Sequence, residues 1–306
     1  MLQAIVIAGL FMSAFGVLGP AVARRTAPAG ATWLLTMGGL LAALSGVTAL
    51  GLLAMTIVGQ NPEIAHYGHW SVAALRRADP IATPIAWTAL GVLVVLGMRA
   101  AWVVIRRGVA LRAAYETCHH LPAHGGLVVL PQSSVDAYAV PGRPGRVVVT
   151  RGMLRLLDAD ERRALLEHER SHLRNGHHWH VAAAAVAAAL NPLLARLPPA
   201  IAYATERWAD EDAARLATRP TAARALAHAA AACAPMSRRP TTSLAATAVA
   251  VAARVSALEA NPLRSRPLLL ASAVLTVVAV VVATIVAAEQ TAELFLAAMN
   301  ATGQGR

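Results

Sequence analysis

Lysine is absent from this 306-residue chain, so its formal net charge of +11 rests on arginine alone. Charged residues are 14% of the sequence and hydrophobic ones 57%, a balance that excludes an ordinary soluble protein. Only two cysteines occur, Cys118 and Cys233, which excludes a disulfide framework. No internal repeat is present. The stretch ahead of the first apolar run has no Lys or Arg, which argues against a cleaved signal peptide even though Ala21-Val22-Ala23 resembles a cleavage site. A nucleic-acid-binding reading of the charge is set aside, because the arginines cluster at the ends of long apolar runs.

Four such runs are present. A spanning helix needs about 20 apolar residues. Residues 2–22 and 32–58 carry no charge, 81–98 is extended by 102–105 beyond Arg99, and 267–288 is the most hydrophobic stretch. Four spans are therefore expected at about 2–22, 32–58, 81–105 and 267–288. Arginine placement then gives the orientation. Arg24 and Arg25 follow the first run, Arg99, Arg106, Arg107 and Arg112 the third, and Arg254, Arg264 and Arg266 precede the fourth. Both termini are expected outside, with residues 106–266 as a cytoplasmic domain and 289–306 as a short extracellular tail. Arg76 and Arg77 in the 59–80 loop argue weakly the other way. In the cytoplasm the two thiols stay reduced.

Within the expected domain, 127–130 and 147–150 are short β-prone runs separated by the turn-rich Pro141-Gly142-Arg143-Pro144-Gly145. A third strand is expected at 137–140. A strand edge beside a cleft could bind an extended peptide, or the strands could form a plain hairpin without such a role. Asp158 and Glu161 have the spacing of a capping box, and Asn175-Gly176 ends the helix that follows. Residues 177–197 read as a buried or membrane-grazing helix that does not span. Helices are expected at 219–234 and 241–260, with Arg238-Arg239-Pro240 as a linker.

The chemistry lies on the capped helix. Residues 168–172 read His-Glu-Arg-Ser-His, an HExxH motif. At this spacing His168 and His172 share a helix face and can bind one zinc ion, and Glu169 can act as general base toward a zinc-bound water. A catalytic zinc needs a third protein ligand. Glu206 on a following helix supplies a His₂Glu set, with Asp210 one turn later placed to hold a ligand histidine from behind. His178 competes, ten residues after His168 in the HExxHxxGxxH pattern, although Asn175 stands in the glycine position. Glu206 is the ligand expected. His177 and His180 read as packing histidines. Tyr203 and Arg207 are the nearby side chains considered for a second oxyanion donor.

These residues resemble the BlaR/MecR-type membrane metallopeptidases. The resemblance rests on His-Glu-Arg-Ser-His at 168–172, Asn191-Pro192, Glu206-Arg207-Trp208-Ala209-Asp210, the segments 136–140 and 147–161, and three spans before the domain with one after. It implies a gluzincin related to the HtpX and CAAX-prenyl endopeptidase branches. The expected fold is therefore mostly α, with four transmembrane helices and a cytoplasmic α+β zinc protease domain carrying a small β-sheet. The resemblance further implies a bacterial inner-membrane protein with a Zn2+ cofactor. Its domain would be switched by an extracellular signal to cleave itself, a winged-helix transcriptional repressor, or both, as in the regulation of antibiotic resistance. Lipid is an expected partner, a homodimer is compatible with this layout, and direct contact with nucleic acid is not expected. With 18 residues after the fourth span, a penicillin-binding sensor is not expected there. Rival readings are an HtpX-like quality-control protease, which usually has two preceding spans and a hydrophobic hairpin after the motif, and a non-catalytic zinc-bound sensor or scaffold. A metal transporter is disfavoured, because the spans hold almost no ionisable groups.

Overall fold

A computed structural model describes residues 1–79, 81–233, 241–260 and 266–303. The linker expected at 238–240 lies outside the described residues. Four helices are long and apolar enough to cross a membrane: α1 (Leu2–Arg25), α2 (Pro28–Gly59), α5 (Thr83–His119) and α12 (Pro267–Gly303). Large apolar side chains such as Val95, Met98 and Trp102 of α5 point outward, as a lipid-facing surface requires. Helix contacts are made instead through small residues. A side chain at Gly16 would meet the Leu193 carbonyl, and one at Gly38 would meet the Phe15 ring. Several hydroxyls in these helices are satisfied locally. The hydroxyls of Thr32, Thr36 and Thr284 each donate to the carbonyl four residues earlier.

Two elements extend beyond the expected spans. Helix α5 continues unbroken past residue 105 to His119. Helix α12 continues past 288 to Gly303, so the expected tail is largely helical. It is held by the 59–80 segment, which folds into α3 (Pro62–Gly68) and α4 (Val72–Ala78), capped by Asn61 and Ser71. The Ser71 amide donates to the Ala298 carbonyl at 3.0 Å, and Trp70 packs edge-on against Phe295.

The domain begins with three strands, β1 (Leu127–Leu130), β2 (Ala137–Val140) and β3 (Arg146–Thr150). The sheet order is β1-β3-β2, with β1 parallel and β2 antiparallel to β3. Strand β2 is thus an edge, and it lies against α7 (Ala159–Arg174). Between β3 and α7 is the short α6 (Arg151–Leu156), capped by Thr150. Asp158 and Glu161 form the capping box that starts α7.

Helix α8 (His177–Leu190) follows the αL residue Gly176 and runs in among the spans rather than across the domain surface. Its Ala184 and Ala187 share a core with Ala8 and Phe15 of α1 and Leu35 and Ala42 of α2. After a 3-10 turn at Pro192–Leu194, α9 (Leu197–Leu216) returns toward the sheet. Residues 177–197 therefore form one limb and the tip of a hairpin packed into the membrane bundle. Helices α10 (Arg219–Cys233) and α11 (Thr241–Glu259) close the domain over α9.

Candidate metal centre

Helix α7 supplies two donors and α9 the third. His168 Nε2 and His172 Nε2 are 3.2 Å apart, and each lies 3.5 Å from a Glu206 carboxylate oxygen. Two donors about 2.0–2.1 Å from a tetrahedral zinc stand about 3.3–3.4 Å apart, so this spacing fits the ion. Among the described residues, His168, His172 and Glu206 are the group that could hold a metal. His178 is not in it. Its side chain faces the neighbouring cleft and lies at a tilt against Trp179. Successive residues at the start of α8 diverge by about 100°, so His177 and not His178 turns toward the motif.

Both histidines have their second nitrogen occupied, which leaves Nε2 free for a metal. His168 Nδ1 is 3.0 Å from Asp210 Oδ1. His172 Nδ1 is 2.9 Å from His177 Nδ1, and only one of that pair can carry the proton. His177 is buried against Trp208, and its Nε2 has no partner. Arg254 of α11 closes the cluster. It grips Asp210 at 2.7 and 2.8 Å and reaches Glu206 at 2.9 Å.

The electrostatics follow from burial competing with these contacts. Burial opposes protonation of His168, but hydrogen bonds to Asp210 and Glu206 prevail and push it up to about 10. In the metal-free site it thus holds a proton that an incoming cation would displace. Burial and then the neighbouring His168 charge push His172 down to about 4. Burial would raise Glu206, yet the His168 hydrogen bond and the Arg254 charge hold it well below the usual carboxylate range. Glu169, also buried, is raised by desolvation, which outweighs the opposing charge of the neighbouring His168. A buried, upward-shifted carboxylate beside a three-donor cluster is the arrangement a general base requires.

Behind the motif, Asp212 accepts from Ser171 Oγ at 2.7 Å and Asn175 Nδ2 at 2.9 Å, fixing α7 to α9. Tyr203 packs against the membrane-bundle core and Arg207 pairs with Glu211, so neither is directed at the cluster. Arg254 and His177 are the participants that sequence spacing missed. The HExxH and Glu-x-x-x-Asp signals are local, whereas Arg254 lies 44 residues beyond Asp210 in a featureless alanine-rich helix.

Residues 112–261 match the sequence profile of peptidase family M48. The chain carries an M48 peptidase domain. The match and the four apolar helices support a membrane-associated metallopeptidase, consistent with the HtpX and CAAX-type part of the resemblance, and do not show the BlaR/MecR type. The chain matches no curated protein and no solved structure. The M48 match begins within α5 and ends just after α11, so it contains every residue of the cluster and none of the other three spans.

Proposed function

We propose that the protein is a membrane-embedded zinc endopeptidase acting on proteins at the membrane surface. The observation that carries this reading is the convergence of His168, His172 and Glu206 with Glu169 alongside. These three side chains would hold the zinc ion, which when bound supplies Lewis acidity that lowers the pKa of water to near 7 and polarises a carbonyl. Asp210 fixes the tautomer of His168, and Arg254 keeps both carboxylates ionised and aimed. Glu169 accepts a proton from the attacking water at its carboxylate and passes it to the departing amine. The free edge of β2, which lines the same cleft as Glu169, aligns an extended peptide.

The arginine distribution supports a domain on the cytoplasmic side with both termini outside, and the family resemblance supports a bacterial inner membrane. Two roles share this chemistry. Broad turnover of membrane proteins, as expected of an HtpX-like enzyme, is favoured by the M48 match and by the α8–α9 hairpin within the spans. Signal-triggered cleavage of the protein itself or of a winged-helix repressor is the second reading, favoured by three spans ahead of the domain. A non-catalytic scaffold is disfavoured, since a structural site closes with four ligands and needs no base.

The test compares purified wild type with Glu169→Gln in detergent, each assayed for bound zinc and for cleavage of casein and of itself. Zinc in both with cleavage in wild type only is expected. Cleavage by Glu169→Gln, or wild type that takes up no zinc, overturns the reading.

A further inference from the structure

The centre sits where two cavities of different character meet. One, of about 250 Å³, lies between α7, α9, α10 and α11 and is walled by small side chains such as Ala164, Ala213, Ala225 and Ala229. The other, of about 1150 Å³, runs between α5 and α8 and reaches Leu40 of α2, with Val104, Leu111, Val181 and Val186 on its walls. His168, Glu169 and Glu206 line both. The first has room for one or two side chains. The second is long, apolar and continuous with the membrane-crossing helices.

Strand β2 joins the two. Asp136 at its start borders the small cavity, Ala137 borders both, and Tyr138 to Pro141 border the large one. The Thr150 amide donates to the Asp136 carbonyl at 3.0 Å, so the backbone groups of 136, 138 and 140 face β3. Those of Ala137 and Ala139 therefore face the free edge. An extended peptide can pair there with the Ala137 amide and carbonyl and the Ala139 carbonyl. Antiparallel pairing is the more stable per residue and the more common. A peptide antiparallel to β2 runs, from its own N-terminus to its C-terminus, out of the large cleft, past Glu169 and into the small cavity.

We infer from this polarity that the substrate is a membrane protein cut on the C-terminal side of one of its spans. The residues ahead of the scissile bond lie in the α5–α8 cleft as an apolar segment leaving the bilayer, and the side chain just after the bond enters the alanine-walled cavity. This rests on the peptidase reading and adds the substrate class and its orientation. A span whose C-terminal end emerges on the catalytic side satisfies it. A span entered from that side by its N-terminal end presents the chain backwards.

The experiment uses the full-length, zinc-loaded protein in mixed micelles with three reporters that share one flexible linker and one soluble domain. In the first the linker follows a single apolar span, in the second it precedes the span, and in the third the span is missing. Cleavage of the first is expected at least ten-fold faster than of either other, with mass spectrometry placing the cut within the linker close to the span. Ala183→Trp, which narrows the apolar cleft, should bring the first reporter's rate down to that of the other two. Equal rates for the first two, a preference for the second, or equal cleavage of the third each overturn the inference and leave the peptidase reading standing. Cleavage of none of the three by the zinc-loaded enzyme overturns the peptidase reading itself.

Discussion

Arg254 and Asp210 form a two-pronged ion pair, with Nη2 2.7 Å from Oδ1 and Nε 2.8 Å from Oδ2, and both side chains are largely buried. The pair joins α11 to α9 directly behind the ligand His168, so the last helix of the domain is fastened to the centre by charge. Removing one member of a buried pair leaves the other desolvated without compensation, at a cost of about 3–5 kcal/mol. Because His168 still reaches Asp210 at 3.0 Å, Arg254→Met should destabilise the metal-free protein by no more than about 3–5 kcal/mol in denaturant titrations. The double variant with Asp210→Asn should recover part of the loss. An Arg254→Met protein as stable as wild type would show that α11 is held by its apolar contacts alone.

His177 poses the converse case. It touches His172 at 2.9 Å, but its own Nε2 is a buried polar atom without a partner. An unsatisfied buried group costs stability, so its retention calls for a gain elsewhere. That gain is the orientation of His172: with His177 accepting at Nδ1, the proton of His172 stays on Nδ1 and Nε2 faces the metal. Loss of such a supporting contact typically weakens metal binding about 10–100-fold. His177→Phe should keep the packing on Trp208, melt no lower than wild type without metal, and bind zinc about 10–100-fold more weakly in chelator competition. His177→Asn should restore most of the affinity. If His177→Phe melts lower and binds zinc normally, the residue serves packing alone.

The parts of this protein legible in its sequence are those whose signal is local. The capping box at Asp158 and Glu161, the one-turn spacing of His168 and His172, and the one-turn spacing of Glu206 and Asp210 each lie within one helix. The four apolar runs are equally local, because lipid imposes length and composition on each span separately. The rest depends on packing between distant segments. Residues 177–197 are mostly Ala, Val and Leu, a composition equally suited to a buried, a grazing or a re-entrant helix. What decides among these is the fit of Leu193 against Gly16 and of Asn191 against Met12 and Gly46, contacts between segments more than 140 residues apart. Helix α12 outruns its apolar stretch for a similar reason: Trp70 and Ser71 hold its far end, and nothing in residues 289–303 announces them.

Acid should act through Asp212. Burial raises its pKa, but hydrogen bonds from Ser171, Asn175 and Arg174 and the nearby Arg215 charge outweigh this and hold it below its ordinary value. A carboxylate whose folded pKa lies below its unfolded one contributes stability that is fully present above the unfolded value, about 3.9, and is lost as pH falls through the folded one. The contribution is thus intact at neutral pH and disappears in the window below about pH 4. Asp212→Asn removes the titration while keeping one acceptor oxygen for Ser171 and Asn175. At pH 7 the metal-free variant should melt below wild type, because the charge-assisted bonds to Arg174 and Arg215 are weakened. On acidification the two melting curves should converge, since wild type alone has this stabilisation to lose. A gap that stays constant from pH 7 to pH 3 would mean that the carboxylate of Asp212 stays charged throughout, or that its charge contributes nothing to holding α7 against α9.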